Sequence, residues 1–450
     1  LKPKTGPQLE KTVVPKQMSQ KYNPITQPFG SKTKYKISLK MDSKGHFDVE
    51  SSSTITNTSN DKWSDVVFYF IPNIFTKENS PTLNNPGTAN IKRILVNGEK
   101  AKFSLKKDTL KVLLDKKVYP TKKMVIDIQY NFTMPEEGYR FTKENGNFYL
   151  AQWYPMVATY KNGGWNKEDY RVRGETYHTA FSDFEVNYKI PKGLTIVSTS
   201  DREYVGSHKT TLKMKNVKDF FIAILKKPNE IERKVGQVNI RTFTLNDDAE
   251  IQREALQIAE KALNYFQDKF GPYPHKQLDI IVSQLGMEYP GIVTAGTIQN
   301  SGDMSDWRES IVVHEIAHQW FYGMISSDPF HDAWLDEGLA TLATRLFYSD
   351  YENEYISLDI SQFKDAPLPV NLSLNKYTLG EQSNHIYGKA SVYLWKVLSE
   401  YGGKKRAEDF LKSYYDFYKY KDVDTAEFVR FIKQYLELKD DHLLKEFLKF

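Results

Sequence analysis

Cysteine is missing from all 450 residues, which excludes disulfides, thiolate metal ligands and a cysteine nucleophile. Long hydrophobic runs are missing too. No stretch reaches the roughly 18 consecutive apolar residues of a membrane-crossing helix. No basic stripe interleaved with aromatics occurs, and 62 Lys and Arg are scattered among 57 Asp and Glu for a net charge of only +5. Nucleic acid is therefore not an expected partner. No sequence unit recurs at a fixed period, so a solenoid or propeller is not expected.

What is present describes an ordinary folded chain. A hydrophobic content of 40% with 14% aromatics suffices for packed cores, and 450 residues suggest two or three domains. Residues 1–31 combine Lys2, Lys4, Lys11, Lys16 and Lys21 with Pro3, Pro7, Pro15, Pro24 and Pro28 but have no apolar core of a signal peptide. They read as a disordered or extended linker that joined the folded part to a removed targeting segment. Export or attachment at the cell surface is the expectation, with the cytoplasm as the alternative.

From residue 32 to 241 the pattern is β. Tyr35–Leu39, Val67–Ile71, Met124–Ile128, Phe184–Tyr188 and Thr195–Ser198 read as strands. Turn clusters at Asp42–Gly45 and Asn97–Lys100 separate them, so an antiparallel sandwich or saddle is expected. The period changes near Thr242. Ile251, Ala255, Ile258, Ala259, Ala262 and Phe266 recur at helical spacing, Leu278–Val282 reads as a strand, and the chain after Lys389 is nearly all helical. Residues 242–450 are therefore expected to form a second domain, α/β at first and then α.

The chemistry is concentrated in His314-Glu315-Ile316-Ala317-His318. Positions i and i+4 of a helix share a face, so the two imidazoles can grip one ion while Glu315 reaches a water beside it. Asp306 and Glu309 offer a capping box for this helix, and Gly323 marks its expected stop. A catalytic zinc site needs a third protein ligand and an open position. Glu337, separated from His318 by eighteen residues, stands on the next helical run, Ala333 to about Tyr348, with Leu335, Leu339, Leu342 and Leu346 at core spacings. Two His and one Glu on adjacent helices read as a zinc hydrolase site holding one Zn²⁺.

The HEIAH motif, the eighteen-residue gap and the Trp334-Leu335-Asp336-Glu337-Gly338 context resemble the M1 (gluzincin) aminopeptidase family. Gly286-Met287-Glu288-Tyr289-Pro290-Gly291 is similar to that family's G-x-M-E-N exopeptidase segment, with Leu285 in place of its first Gly and Tyr289 in place of its Asn. Tyr387-Gly388-Lys389-Ala390 resembles its Y-x-K-G segment. Trp153-Tyr154-Pro155 and Phe181-Ser182-Asp183-Phe184 are similar to phrases in bacterial members. The resemblance covers roughly residues 33 to 450 and implies a thermolysin-like catalytic domain. It does not extend to the long C-terminal helical domain of many members, which supplies the basic residues that receive a substrate's carboxylate.

The resemblance assigns His314, His318 and Glu337 to zinc, Glu315 to general-base work, and Tyr387 to the oxyanion. Glu288 then pairs with the substrate's α-amino group, Gly286 and Met287 align the peptide backbone, and Gln152 lines the amino-group pocket. Peptides with a free N-terminus are the implied partners. Thr341, His331 and His385 are expected to be ordinary packing or surface residues. Two rivals stay open: a thermolysin-like endopeptidase needing no amino-group anchor, and a non-catalytic peptide-binding protein on the same fold.

Overall fold

The computed structural model describes residues 22–201, 208–246, 248–283, 286–296, 305–353 and 355–450. Most of the expected linker, Leu285 and the side chains of the expected Asp306–Glu309 capping box lie outside these. In the first half, strand Ser31–Met41 alternates strictly, with Tyr35, Ile37 and Leu39 buried and Lys34, Lys36 and Lys40 outward. It pairs antiparallel with His46–Asn57 and parallel with Ser182–Lys189 in a seven-stranded sheet. Asp42 closes the first hairpin, its carboxylate accepting from Lys44 N at 2.8 Å and His46 N at 2.9 Å. Two four-stranded sheets share the core of this half, in which Trp63, Trp153 and Tyr130 are fully buried. The strand expected to run to Ile71 ends at Tyr69, and a 3₁₀ turn containing Pro72 follows.

The second half is organised around a sheet of β1 (Asn229–Val235), β2 (Val238–Thr244), β3 (Gln277–Ile281) and β4 (Ile292–Thr294). β2 runs parallel to β3 and β3 parallel to β4. The sequence pattern turns helical near Thr242, yet β1 and β2 already belong to this sheet. Their alternation looks like that of the strands before them, so only their pairing reveals the change. Helix α1 (Ala249–Lys269) packs on the sheet through Ala255, Ala259, Ala262 and Phe266 and is capped by Asp248, which accepts from Ile251 N at 3.1 Å.

Two helices carry the central motif, α2 (Ser305–Ala317) and α3 (Ala333–Tyr351). α2 stops well before Gly323. Gln319 N and Trp320 N bond to carbonyls three residues back at 3.0 Å, tightening the last turn, and Gly323 N closes it onto His318 O at 2.8 Å. His318 therefore lies on the turn and not within the helix. Beyond α3 come α4 (Leu379–Ser383), a π-helical turn over Asn384–Lys389, and α5 (Ala390–Glu400), α6 (Gly403–Tyr418) and α7 (Thr425–Leu436).

The part of the expected linker that is described, from Tyr22 on, is extended, as Pro24 and Pro28 favour, but it is docked. Tyr22 packs edge-on against Phe417 and Phe431 and donates to Glu427 at 2.9 Å. Gln27 N bonds to Asp422 O, also at 2.9 Å, so the segment straps α6 and α7 and does not hang free.

Candidate metal centre and active site

His314 Nε2, His318 Nε2 and Glu337 Oε2 lie 3.0–3.2 Å from one another. The i, i+4 spacing delivers the first two and α3 delivers the third. Three donors so spaced surround one point about 2 Å away, the range of zinc–nitrogen and zinc–oxygen bonds to within a few tenths of an ångström. No acid–base pair needs this gathering of two imidazoles on one carboxylate oxygen; a cation explains it. The residues present therefore fit a zinc ion.

The neighbours orient these donors. His318 Nδ1 faces Asp336 Oδ1 at 2.5 Å and Phe321 O at 3.0 Å, so the Nδ1 proton is donated there and Nε2 is left with its lone pair toward the other two donors. Asp336 is the residue sequence reasoning passed over, although it stands beside Glu337. Its carboxylate faces a histidine across the helix pair, which only the fold reveals. Thr341 donates to Glu337 O at 2.7 Å along its own helix and serves packing. His331 and His385 also have ordinary partners: Asp328 at 3.0 Å for the first, Glu381 O at 2.8 Å for the second.

Tyr387 enters from the π-helical turn, and its hydroxyl donates to Glu337 Oε1. A π turn carries one residue more than an α turn, and such turns gather at functional sites. Both flanks are tied down. His385 accepts from Leu368 N at 3.2 Å, and the Lys389 ammonium donates to Ala366 O and Leu368 O at 2.9 and 2.8 Å. α3 can approach this turn because Gly338 has no side chain: a Cβ there would sit 2.9 Å from Ala390 Cβ. Burial, together with Glu337, raises the Tyr387 hydroxyl well above its ordinary value, so it stays a donor throughout the neutral range.

Glu288, Gly286 and Met287 lie beside the triad. Met287 exchanges backbone hydrogen bonds with Thr294 at 2.9 and 3.2 Å, so the segment extends the sheet beyond β4. Gly286 and Glu288 line a cavity of about 1200 Å³ together with His314, Glu315, Glu337 and Tyr387. Tyr289, which replaces the family's Asn, stacks on Phe221 with ring centres 4.0 Å apart and serves the core.

The Glu288 carboxylate is 4% exposed, and its Oε1 has no partner. Burial first, and then nearby Glu175, raise its pKa well above the usual carboxylate range. Glu175 itself is neutralised by Arg140 at 2.6 Å. The sequence reading missed both residues, since they come from the β half and nothing local marks Arg140 or Glu175 as part of a distant site. Gln152 is not among the residues lining the cavity. It is buried, with φ of 49° and Nε2 unpartnered.

The Glu315 carboxylate fits against bare backbone. A Cβ on Gly286 would come 2.4 Å from Glu315 Oε1. Gly286→Ala is accordingly expected to displace Glu315 and lower kcat about 10–100-fold, the scale on which misplacing a reacting group costs rate, with folding retained in circular dichroism.

The ionisation states bear on stability. Burial pushes Glu315 up to about 8 and Asp336 up to about 6. Burial lowers His318, but Asp336 and Glu337 outweigh it and hold the imidazole well above its usual value. An unfolded carboxyl titrates near 4.3 and an unfolded histidine near 6.5. The folded chain therefore holds more protons than the unfolded one across the neutral range, and its stability falls as pH rises. Glu337 is shifted downward, so its opposite contribution lies below this window. Burial lowers His314, which opposes the trend only up to about 6.5 and is outweighed by the other three groups. Chelator-treated protein is expected to melt at a lower temperature at pH 8 than at pH 5.5. Zinc-loaded protein, whose cation favours the carboxylate forms, should show a flatter profile in the same melts.

The two-histidine, one-glutamate constellation is the donor set of a catalytic zinc site. Residues 254–449 match the peptidase family M1 domain. Probable aminopeptidase 2 of Sulfurisphaera tokodaii is 25% identical over 283 residues, 56% of this chain and 36% of that protein. Leukotriene A-4 hydrolase of Xenopus laevis is 26% identical over 235 residues, 47% of this chain and 38% of that one. The matches thus span little more than a third of these relatives. The M1 zinc metallopeptidase of Deinococcus radiodurans shares the fold, with a TM-score of 0.68 and 16% identity over 94% of this chain and 95% of that one.

Proposed function

We propose that the chain is a zinc-dependent M1-type aminopeptidase acting on peptides with a free N-terminus. The observation that carries this reading is Glu288, a buried and unpartnered carboxylate beside the His314–His318–Glu337 cluster. An endopeptidase has no use for such a group, whereas a substrate ammonium would compensate it and fix the cut one residue from the N-terminus.

His314, His318 and Glu337 would hold one zinc ion, with Asp336 orienting His318. When bound, the ion supplies Lewis acidity that makes water a nucleophile near neutral pH. Glu315, buried beside the cluster, is suited in the ionised form that a bound cation favours to take the water's proton and pass it to the leaving amine. Tyr387 donates its hydroxyl to the oxygen that becomes negative during attack. Glu288 receives the α-ammonium, and Gly286 presents its backbone to the peptide beside Glu315.

A matched pair of peptides, one free and one N-acetylated, tests the reading on zinc-reconstituted protein. Release of the first residue from the free peptide alone is expected. Internal cleavage of the acetylated peptide at a comparable rate would favour the endopeptidase, and failure to cleave either would favour a binding protein.

A further inference from the structure

We propose that Arg345 forms a carboxylate subsite at the far end of the catalytic cavity, making short peptides with a carboxylate a few residues beyond the cleaved bond the favoured substrates. This rests on the aminopeptidase reading and adds a peptide-length and charge preference to it.

Glu337, Thr341, Arg345 and Tyr348 all line the cavity along one side of α3. Glu337 and Arg345 are eight residues apart, about 12 Å along the axis at 1.5 Å per residue. The direction is set by Glu288. Its carboxylate lies within 4.8 Å of the ligating atoms of His318 and Asp336, and Asp336 precedes Glu337 on the helix. Glu288 therefore sits on the Asp336 side of the metal cluster, while Arg345 lies two turns from Glu337 toward the C-terminus of α3. A substrate with its ammonium on Glu288 and its first carbonyl at the cluster continues along α3 toward Arg345. At about 3.3–3.6 Å per extended residue, that path accommodates some two to four residues.

The charge at this end is uncompensated. Arg345 Nε is buried without a hydrogen-bond partner, and no acidic group offsets the burial that lowers its pKa. Arg140, the cavity's other inner arginine, is by contrast already paired with Glu175. A guanidinium stays charged at any ordinary pH, and this half-buried one has no ion-pair partner among the described residues. The cavity thus places carboxylates where a peptide's amino end would lie and a free guanidinium where its carboxyl end would lie. A planar fork of donors suits a carboxylate, which it can bind bidentately.

The source of the carboxylate is either the peptide's own C-terminus or an Asp or Glu side chain. Binding to Glu315→Gln protein loaded with zinc, measured by calorimetry, separates recognition from turnover. Three ligands suffice: tetra-alanine, its C-terminal amide, and the amide with Glu at the third position. The free acid is expected to bind roughly 10–100-fold tighter than the plain amide, and Arg345→Ala introduced on the same background should erase that ratio. Tight binding of the Glu-containing amide would identify the side chain as the natural source.

Equal binding of all three ligands, or a preference that survives Arg345→Ala, would overturn the proposal. Should Arg345→Ala fail to fold, the ratio in the parent and its partial retention in Arg345→Lys decide instead. N-acetylation of tetra-alanine keeps the two readings apart. Loss of the amino-group preference alone defeats the Glu288 assignment and leaves the Arg345 subsite standing.

Discussion

Glu315→Gln is expected to reduce kcat by about 10²–10⁴-fold while zinc content and peptide affinity stay near those of the parent. The side chain is nearly isosteric, so the contact with Gly286 and the fold around it survive, but an amide cannot accept water's proton. Burial raises the Glu315 carboxyl in the metal-free site, and a bound cation would return it to the carboxylate that accepts the proton. Single-turnover assays on a free peptide, with metal analysis of the same sample, are the check. Unchanged turnover in the glutamine variant would remove Glu315 from the mechanism.

His318→Ala is expected to abolish zinc retention and all hydrolysis. It deletes one donor and also leaves Asp336 and Glu337 as buried carboxylates without their imidazole. Asp336→Asn makes a milder comparison. It keeps the hydrogen-bonding shape but weakens the negative charge behind His318, and orienting partners of this kind typically cost about 10–100-fold in metal affinity. Competition with a zinc chelator orders the three proteins. An Asp336→Asn protein that loses zinc as completely as His318→Ala would place Asp336 among the ligands.

The legibility of the site followed the sequence distance over which each part is determined. His314 and His318 are one helical turn apart, so their convergence needs only local geometry. Glu337 needs two helices to pack, yet leucines at core spacing on α3 already announced the packing. Glu288 and Tyr387 became readable through segments resembling a family, since neither carries a local signal that distinguishes it from other acids or tyrosines. Glu175, Arg140 and Arg345 were not readable. The first two cross from the β half, and the third shows its character only when it is seen to lack a partner.

Gln152, a position suggested by resemblance, is buried and is not among the residues lining the cavity. The fold itself divides along the same line. Alternating strands and amphipathic helices are written in periods of two and 3.6, and the broad architecture could be inferred from them. The membership of β1 and β2 in the second sheet depends on parallel pairing with β3, more than thirty residues away, and no period encodes a partner. The early end of α2 likewise depends on tertiary demands on His318, which the helix-favouring residues around it do not reveal.

The π-helical turn at Asn384–Lys389 makes the placement of Tyr387 a matter of counting as much as of chemistry. A surplus residue in a helix shifts everything on one side of it by about 100° relative to the other. Removing one residue beside Tyr387 in this stretch is expected to restore a regular helix and swing the tyrosine away from Glu337. Substitutions there test what each group does, whereas length variation is the more severe constraint. In searching for proteins that share this arrangement, the spacing from Glu337 to the tyrosine is therefore as informative as the tyrosine itself.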